Sequence, residues 1–343
     1  MKELLKVENL EMHFPFSNSK KLFSTAKGVL KAVDGVSFTL YEGETLGIVG
    51  ESGCGKTTLG RSLMRIYEPT GGKVTYVNRD GSEADITHIR QKDMRRYWQD
   101  MRMVFQDPKG SLNPRLTVFD IIGEALKVNK LATKREIEER VRSLMGKVGL
   151  RPEYLYRYPH AFSGGERQRI GIASALSVNP RLVIADEAVS ALDVSVQAQT
   201  INLMEDLQKE FNLTYIFIAH DLSVVQHISD RVLVMYVGKM VELADTNTLY
   251  RTPMHPYTYA LMSSIPYPDP HKRDDKHIEL EGNIADPANP PSGCYFHPRC
   301  PYADGICKDK APALLPVEPG HLVACHHAKD LDLAREVKFT WGN

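Results

Sequence analysis

Hydrophobic and polar positions alternate from Leu4 to His13 and again from Val36 to Tyr41, a period of two that predicts half-buried strands. Leu46 to Gly50 is apolar without alternation and predicts a buried strand, and Val74 to Val77 is a further strand candidate. Between the first two, Ser17 to Leu30 is polar and lysine-rich, which predicts an exposed loop insertion. Ile86 to Trp98 is charged with helical spacing, and Met101-Arg102-Met103-Val104 predicts a short buried strand running into a loop at Phe105-Gln106-Asp107-Pro108. The period then lengthens. Val118, Ile121, Ile122, Ala125 and Leu126 recur at three and four, and Lys134 to Val148 is amphipathic, so residues 117 to 150 predict helices. Apolar strands at Arg181 to Asp186 and Thr214 to Ile218 flank a helix expected from Gln197 to Glu210.

The strand at Leu46 leads directly into Gly50-Glu51-Ser52-Gly53-Cys54-Gly55-Lys56-Thr57, which meets the phosphate-cradling pattern G-x-x-x-x-G-K-[ST] at every fixed position. Glycines let consecutive backbone N–H groups curl around phosphate oxygens, Lys56 supplies a point charge near the terminal phosphates, and the Thr57 hydroxyl is placed for Mg²⁺. A helix expected from Lys56 to Ile66 would aim its positive end at the phosphates. A chance glycine-rich turn is the alternative, and the flanking strand and helix weigh against it. Cys54 reads as a small residue whose backbone matters and whose thiol does no chemistry.

Three further sites extend that chemistry. The strand ending in Asp186-Glu187 offers one carboxylate for Mg²⁺ and one to orient or deprotonate water; we assign Asp186 to the metal and Glu187 to the water. Ser163 with Glu166 three residues later is a capping-box pair before a helix expected from Ile170 to Val178. A cap does not require Gly164 and Gly165, which expose N–H groups at a helix start and predict a second phosphate-binding surface. His220, after the strand Thr214 to Ile218, reads either as a satisfied strand-end histidine or as a group bridging γ-phosphate and a carbonyl.

Composition narrows the class. At 343 residues, length predicts two domains or one large domain with an extension. The 43 basic and 43 acidic residues balance, so there is no electrostatic footprint for nucleic acid. No apolar stretch reaches the roughly 18 residues that cross a bilayer, and Met1 to Leu5 has no signal-peptide core, so the chain is expected in the cytosol. There, clustered cysteines favour metal over disulfides.

Together these motifs resemble the ATP-binding subunits of ABC transporters, over residues 1 to about 250. The resemblance implies an α/β fold, a P-loop ABC nucleotide-binding domain with a RecA-like core, an antiparallel β-subdomain and a helical subdomain over about 107–177. It implies ATP held by Gly50, Glu51, Ser52, Gly53, Cys54, Gly55, Lys56, Thr57, Thr58 and Gln106, with Phe14 stacking on adenine, or His13 or Phe16 in its place. Mg²⁺ is expected on Thr57, Gln106 and Asp186, and catalysis from Glu187, His220 and the Q-loop residue Gln106. Ser163, Gly164, Gly165 and Glu166 match the signature that closes on the opposing subunit's ATP, and Asp193 matches the D-loop. Glu166 stands where many members have Gln.

Residues 251–343 resemble the C-terminal extension of oligopeptide and dipeptide importer ATPases, through Pro253-Met254-His255-Pro256-Tyr257-Thr258 and Gly293-Cys294-Tyr295-Phe296-His297-Pro298-Arg299-Cys300-Pro301. The resemblance is greatest to the F-type member of the D/F pair. It implies import of di- or oligopeptides, with nickel or oligosaccharides as alternatives. The implied partners are a second ATPase subunit, two permeases and an extracytoplasmic solute-binding protein, which together hold the chain at the cytoplasmic face of the membrane. A soluble ABC ATPase of ribosomes or DNA is disfavoured, because neither a second ATPase domain nor long coiled-coil or basic segments are present. A purely regulatory, non-hydrolysing nucleotide binder is disfavoured by the intact Glu187 and His220.

Cys294, Cys300, Cys307 and Cys325 suit a structural Zn²⁺ or an iron–sulfur cluster, or are four buried free thiols. Their spacings of five, six and seventeen intervening residues lack zinc-ribbon knuckles, and the resemblance favours [4Fe–4S]. His297, His321, His326 and His327 are nearby spare ligands that read rather as surface residues, and because the ATP motifs end by His220 the cluster is expected to be spatially separate from the nucleotide.

Overall fold

The structure, a computed structural model, describes residues 2–17, 27–264 and 282–333. It divides into two compact units: the described residues of Glu3–Leu40, Leu46–Thr87 and His220–Asn343, and those of Met1–Lys2, Tyr41–Thr45 and His88–Ala219.

The first unit holds an antiparallel sheet in the order Lys27–Tyr41, Glu3–Ser17, Gly71–Val77, Glu83–Asp85. Its second layer runs Leu315–Glu318, His321–Val323, Lys239–Asp245, Arg231–Tyr236, Thr45–Val49. The first four of these are antiparallel neighbours, and Thr45–Val49 joins Arg231–Tyr236 in parallel, with Val49 beside Val234. The extension therefore adds two strands to the layer that carries the phosphate loop. Every residue of Thr45–Val49 is buried, as its unalternating apolar run requires.

The second unit is built on parallel strands in the order Thr214–Ile218, Leu182–Asp186, Met101–Val104. Around them lie helices Val118–Val128, Lys134–Lys147, Gly164–Leu176 and Val194–Phe211. The spacing of three and four is borne out: Val118, Ile121, Ile122 and Leu126 are buried on one helix, and Ile137, Val141, Leu144 and Met145 on the next. Burying each such side chain contributes about 1.5–3 kcal/mol.

Several boundaries differ from the sequence expectation. The expected insertion shrinks, because one strand continues to Ser17 and the next starts at Lys27; residues 18–26 lie outside the described residues. Ile86 to Trp98 is not one helix but a 3-10 segment, Gln91–Arg96, and one helical turn, Tyr97–Asp100. Within residues 91–100 only Met94 and Tyr97 are buried, too few to form an apolar stripe. The phosphate-loop helix stops at Leu63, where Met64 caps it and Arg65 turns left-handed at φ 55°. The helix expected from Ile170 starts instead at Gly164, because Ser163 caps it there, and Asp193 likewise starts the next helix at Val194.

Candidate functional site

The phosphate loop is shaped by what surrounds its glycines. Gly50, Gly53 and Gly55 have φ of 149°, 80° and 106°. A Cβ on Gly50 would strike the Met235 carbonyl oxygen, and one on Gly55 that of Ala32. The tight turn after Tyr236 supports the loop from behind: the Gly238 N–H donates to the Cys54 carbonyl at 2.8 Å. That turn places Val237 at φ 42° and Gly238 at φ 76°, the positive pair that a two-residue hairpin needs. Lys56 is buried, and its Nζ donates to the carbonyls of Gly50 at 2.7 Å and Glu51 at 3.0 Å. Cys54 is buried as well, and burial pushes its thiol up, which fits the inert role expected of it. Ser52 and Gly53 are exposed, while Thr57 and Thr58 are half-buried on the first helical turn.

In the same unit Phe14 is half-buried, its ring edge-on to Tyr67 at 5.4 Å. Of the two alternatives to Phe14, His13 has its Nε2 3.5 Å from Asp34. His220 is exposed just past the strand Thr214–Ile218, and Asp221 after it caps the helix Leu222–Ile228.

The other unit carries the carboxylates. Asp186, buried, ends its strand, and the chain turns at Glu187 with φ 47°, a conformation that costs about 1 kcal/mol or more outside glycine. The turn is held by the Glu187 N–H donating to Ile218 O at 2.9 Å and by Ser190 Oγ donating to Glu187 O at 2.9 Å. Gln106 Nε2 donates to Glu187 Oε2 at 2.6 Å, so two of the expected catalytic groups meet directly.

The capping box at the signature is complete: Ser163 N donates to Glu166 Oε2 at 2.8 Å and Glu166 N to Ser163 Oγ at 3.3 Å. These bonds hold the Glu166 carboxyl below its usual range. Ser163 and Gly164 are nonetheless exposed, and a Cβ on Gly164 would meet open space. Asp193 is a helix cap too, accepting from Val196 N at 3.0 Å, and Val194 beside it is 84% exposed.

The extension is bound to the phosphate loop through side chains other than its cysteines. Glu51 N donates to the Tyr257 hydroxyl at 2.8 Å, and the Glu51 carboxylate accepts from Arg299 Nη1 at 2.8 Å and Nη2 at 3.1 Å. Phe296 packs against Tyr236, Tyr257 and His255. Glu242, fully buried, anchors the rest, accepting from Met254 N, His255 N and His321 Nε2. His321 is therefore a core residue, contrary to its surface reading. All five cysteines are free thiols. Burial pushes Cys300 up to about 11 and Cys325 up to about 12, with Cys294 and Cys307 adding to both shifts. A different set, Asp304, Cys307 and His327, has ligand atoms that lie within 4.8 Å of one another.

Residues 33–190 match the family described as "ABC transporter", and residues 241–307 match "Oligopeptide/dipeptide transporter, C-terminal region". The chain is 54% identical over 326 residues to the oligopeptide transport ATP-binding protein AppF of Bacillus subtilis, across 94% of this chain and 97% of that protein. The chain belongs to the ATP-binding proteins of oligopeptide ABC transporters. It is also 50% identical over 315 residues to the oligopeptide transport ATP-binding protein OppF of Salmonella typhimurium, covering 91% of this chain and 93% of that one. The fold matches a solved post-hydrolysis dimer of an ATP-binding cassette bound to ADP and Pi, with a TM-score of 0.62 at 23% identity over 71% of this chain and 99% of the other. It also matches cbiO1 from Clostridium perfringens, part of an ABC transporter complex, with a TM-score of 0.60 at 26% identity over 73% of this chain and 91% of the other. Among the described residues of this ABC ATPase, no helix is long and apolar enough to cross a membrane.

Proposed function

We propose that this chain is the ATP-hydrolysing subunit that energises a membrane importer of di- and oligopeptides. The observation that carries the reading is the presence in one chain of a phosphate loop and of a capped helix start at which Ser163 and Gly164 are exposed. A second subunit's ATP is the natural ligand of that helix start. Residues 1–250 form the ATP-binding part, and 251–343 form the importer-type extension.

Lys56 and the glycine-loop N–H groups take the phosphates, Thr57, Gln106 and Asp186 take Mg²⁺, and Phe14 takes the adenine. Glu187 polarises the attacking water, and His220 holds the γ-phosphate. The Gln106–Glu187 hydrogen bond supports this assignment, because it lets the residue that senses γ-phosphate orient the carboxylate that acts on water. Positioning of water, metal and phosphate supplies most of the rate. Closure on ATP pairs this chain with a second ATPase subunit, in a heterodimer.

The permeases meet the second unit, at Gln106 to Arg115 and at a groove of about 360 Å³ whose lining includes Trp98, Arg102, Glu124 and Val128. Docking there places the chain at the cytoplasmic face of the membrane. Co-purification tests the assembly: two hydrophobic permeases should accompany the tagged chain, and short peptides delivered by the solute-binding protein should stimulate its ATPase. Stimulation by nickel or an oligosaccharide, and not by peptide, would reassign the solute.

Cys294, Cys300, Cys307 and Cys325 hold a [4Fe–4S] cluster in the same proposal, as a cross-link for the extension. What supports the reading is the donor type: all four are free thiols, the ligand that iron–sulfur clusters take, although of the four only Cys307 falls in a group of candidate ligand atoms within 4.8 Å of one another. Asp304, Cys307 and His327 favour a second reading, a zinc site of mixed ligands. Metal analysis of anaerobically purified protein decides between them. About four irons per chain support the cluster, one zinc replaces it, and no metal removes both.

A further inference from the structure

We infer that Arg299, delivered by the C-terminal extension, is a positioning residue for the nucleotide: it cancels the charge of Glu51 inside the phosphate loop and so keeps the loop receptive to a polyanion. The inference rests on the reading that ATP binds at Gly50 to Thr57. Glu51 is the second residue of that loop, and a carboxylate so placed repels triphosphate. The loop's own cation does not answer it with a side-chain pair, since Lys56 donates to the carbonyls of Gly50 and Glu51. The balancing charge comes from outside. Arg299 grips both carboxylate oxygens, at 2.8 and 3.1 Å, in the fork geometry that guanidinium offers and ammonium does not.

The pair is shielded from water, with the Arg299 side chain 6% exposed and that of Glu51 21% exposed, so solvent screens it little. Arg299 is itself held. It ends the 3-10 turn His297–Arg299, and its N–H donates to the carbonyl of Phe296, which is wedged among Tyr236, Tyr257 and His255. Tyr257 fixes the same residue from its other side, accepting the Glu51 N–H. The extension thus sets both the charge and the backbone orientation of the loop's second residue. Its docking is a condition of nucleotide affinity.

The test is equilibrium binding of a non-hydrolysable ATP analogue with Mg²⁺ to the full chain, at low and high salt. Arg299→Gln should weaken binding by about tenfold, and the deficit should shrink as salt rises. Glu51→Gln should tighten binding by about threefold, because Arg299 then faces the phosphates uncompensated. The double variant should return to within about twofold of the unaltered chain. A purely structural staple would behave otherwise, since each change would weaken binding and the double would be no better than Arg299→Gln. Weaker binding by Glu51→Gln overturns the inference even if Arg299→Gln fails to fold. Lys56→Ala separates the two levels. If it weakens binding while Arg299→Gln does not, only the role of Arg299 falls. If it binds the analogue as tightly as the unaltered chain, the phosphate-loop reading and this inference fall together.

Discussion

At the scale of single residues, Glu187 sits where the proposed chemistry and backbone strain coincide. Its backbone is left-handed, and its carboxylate accepts from Gln106 at 2.6 Å. Glu187→Gln keeps the shape but removes the charge proposed to polarise water, so hydrolysis at this site should fall by at least about 100-fold, the lower range of general-base contributions, while ATP binding persists. Single-turnover hydrolysis in a complex whose partner site is already disabled measures this. Turnover within a few-fold of the unaltered protein would remove Glu187 from the mechanism. Residues of this kind are legible in sequence because phosphate chemistry needs fixed residue types at short spacing. Arg299 and Tyr257 are not, because their partner Glu51 lies 248 and 206 residues away and nothing local marks a charge as bound for a distant loop.

At the scale of elements, the start of the helix Gly164–Leu176 has two roles, helix cap and proposed phosphate contact. Ser163→Asp separates them. Asp caps as well as Ser, so the melting temperature should hold, while a carboxylate aimed at the opposing ATP should abolish most ATPase activity of the assembled complex. Full activity with an intact fold would confine Ser163 to capping.

The extension has its own signal in pH. Burial pulls His255 down to about 4 although Glu242 pulls it upward, against about 6.5 in the unfolded chain. Between those values the unfolded chain binds a proton that the folded chain refuses. Stability should therefore fall as pH drops from about 6.5 to about 4, by up to about 1.4 kcal/mol per pH unit from this group, and this group should contribute no slope above that window. His255 Nδ1 accepts from Tyr257 N at the helix start. Asn can cap there without titrating, so thermal melts of His255→Asn across this range should show a shallower decline; an unchanged slope would assign the effect elsewhere.

Most element types were legible from periodicity, Ile86 to Trp98 being the exception, and their starts from caps only where the capping residue was given precedence over the apolar run. The helix at Ser163 shows this: its apolar residues begin at Ile170, but the cap decides where it starts. The strands Leu315–Glu318 and His321–Val323 escaped notice because they are short, and three of the four residues of the first are exposed, leaving no alternation to detect.

At the scale of the whole molecule, the phosphate loop and the signature serve different ATP molecules in the proposed dimer, so the isolated chain should hydrolyse ATP slowly and the assembled complex faster. Motifs and length pointed to an ATPase with an extension. They could not reveal that the extension shares a compact unit and a strand layer with the phosphate loop, because that depends on a parallel pairing across much of the chain. The most direct test of the account is ATP-dependent uptake of a short labelled peptide into proteoliposomes that contain this chain, its partner ATPase and the permeases, supplied with the solute-binding protein. The account predicts uptake that requires hydrolysable ATP and is lost with Glu187→Gln. Peptide uptake that proceeds unchanged with Glu187→Gln, or a complete complex that hydrolyses ATP without moving peptide, would contradict it.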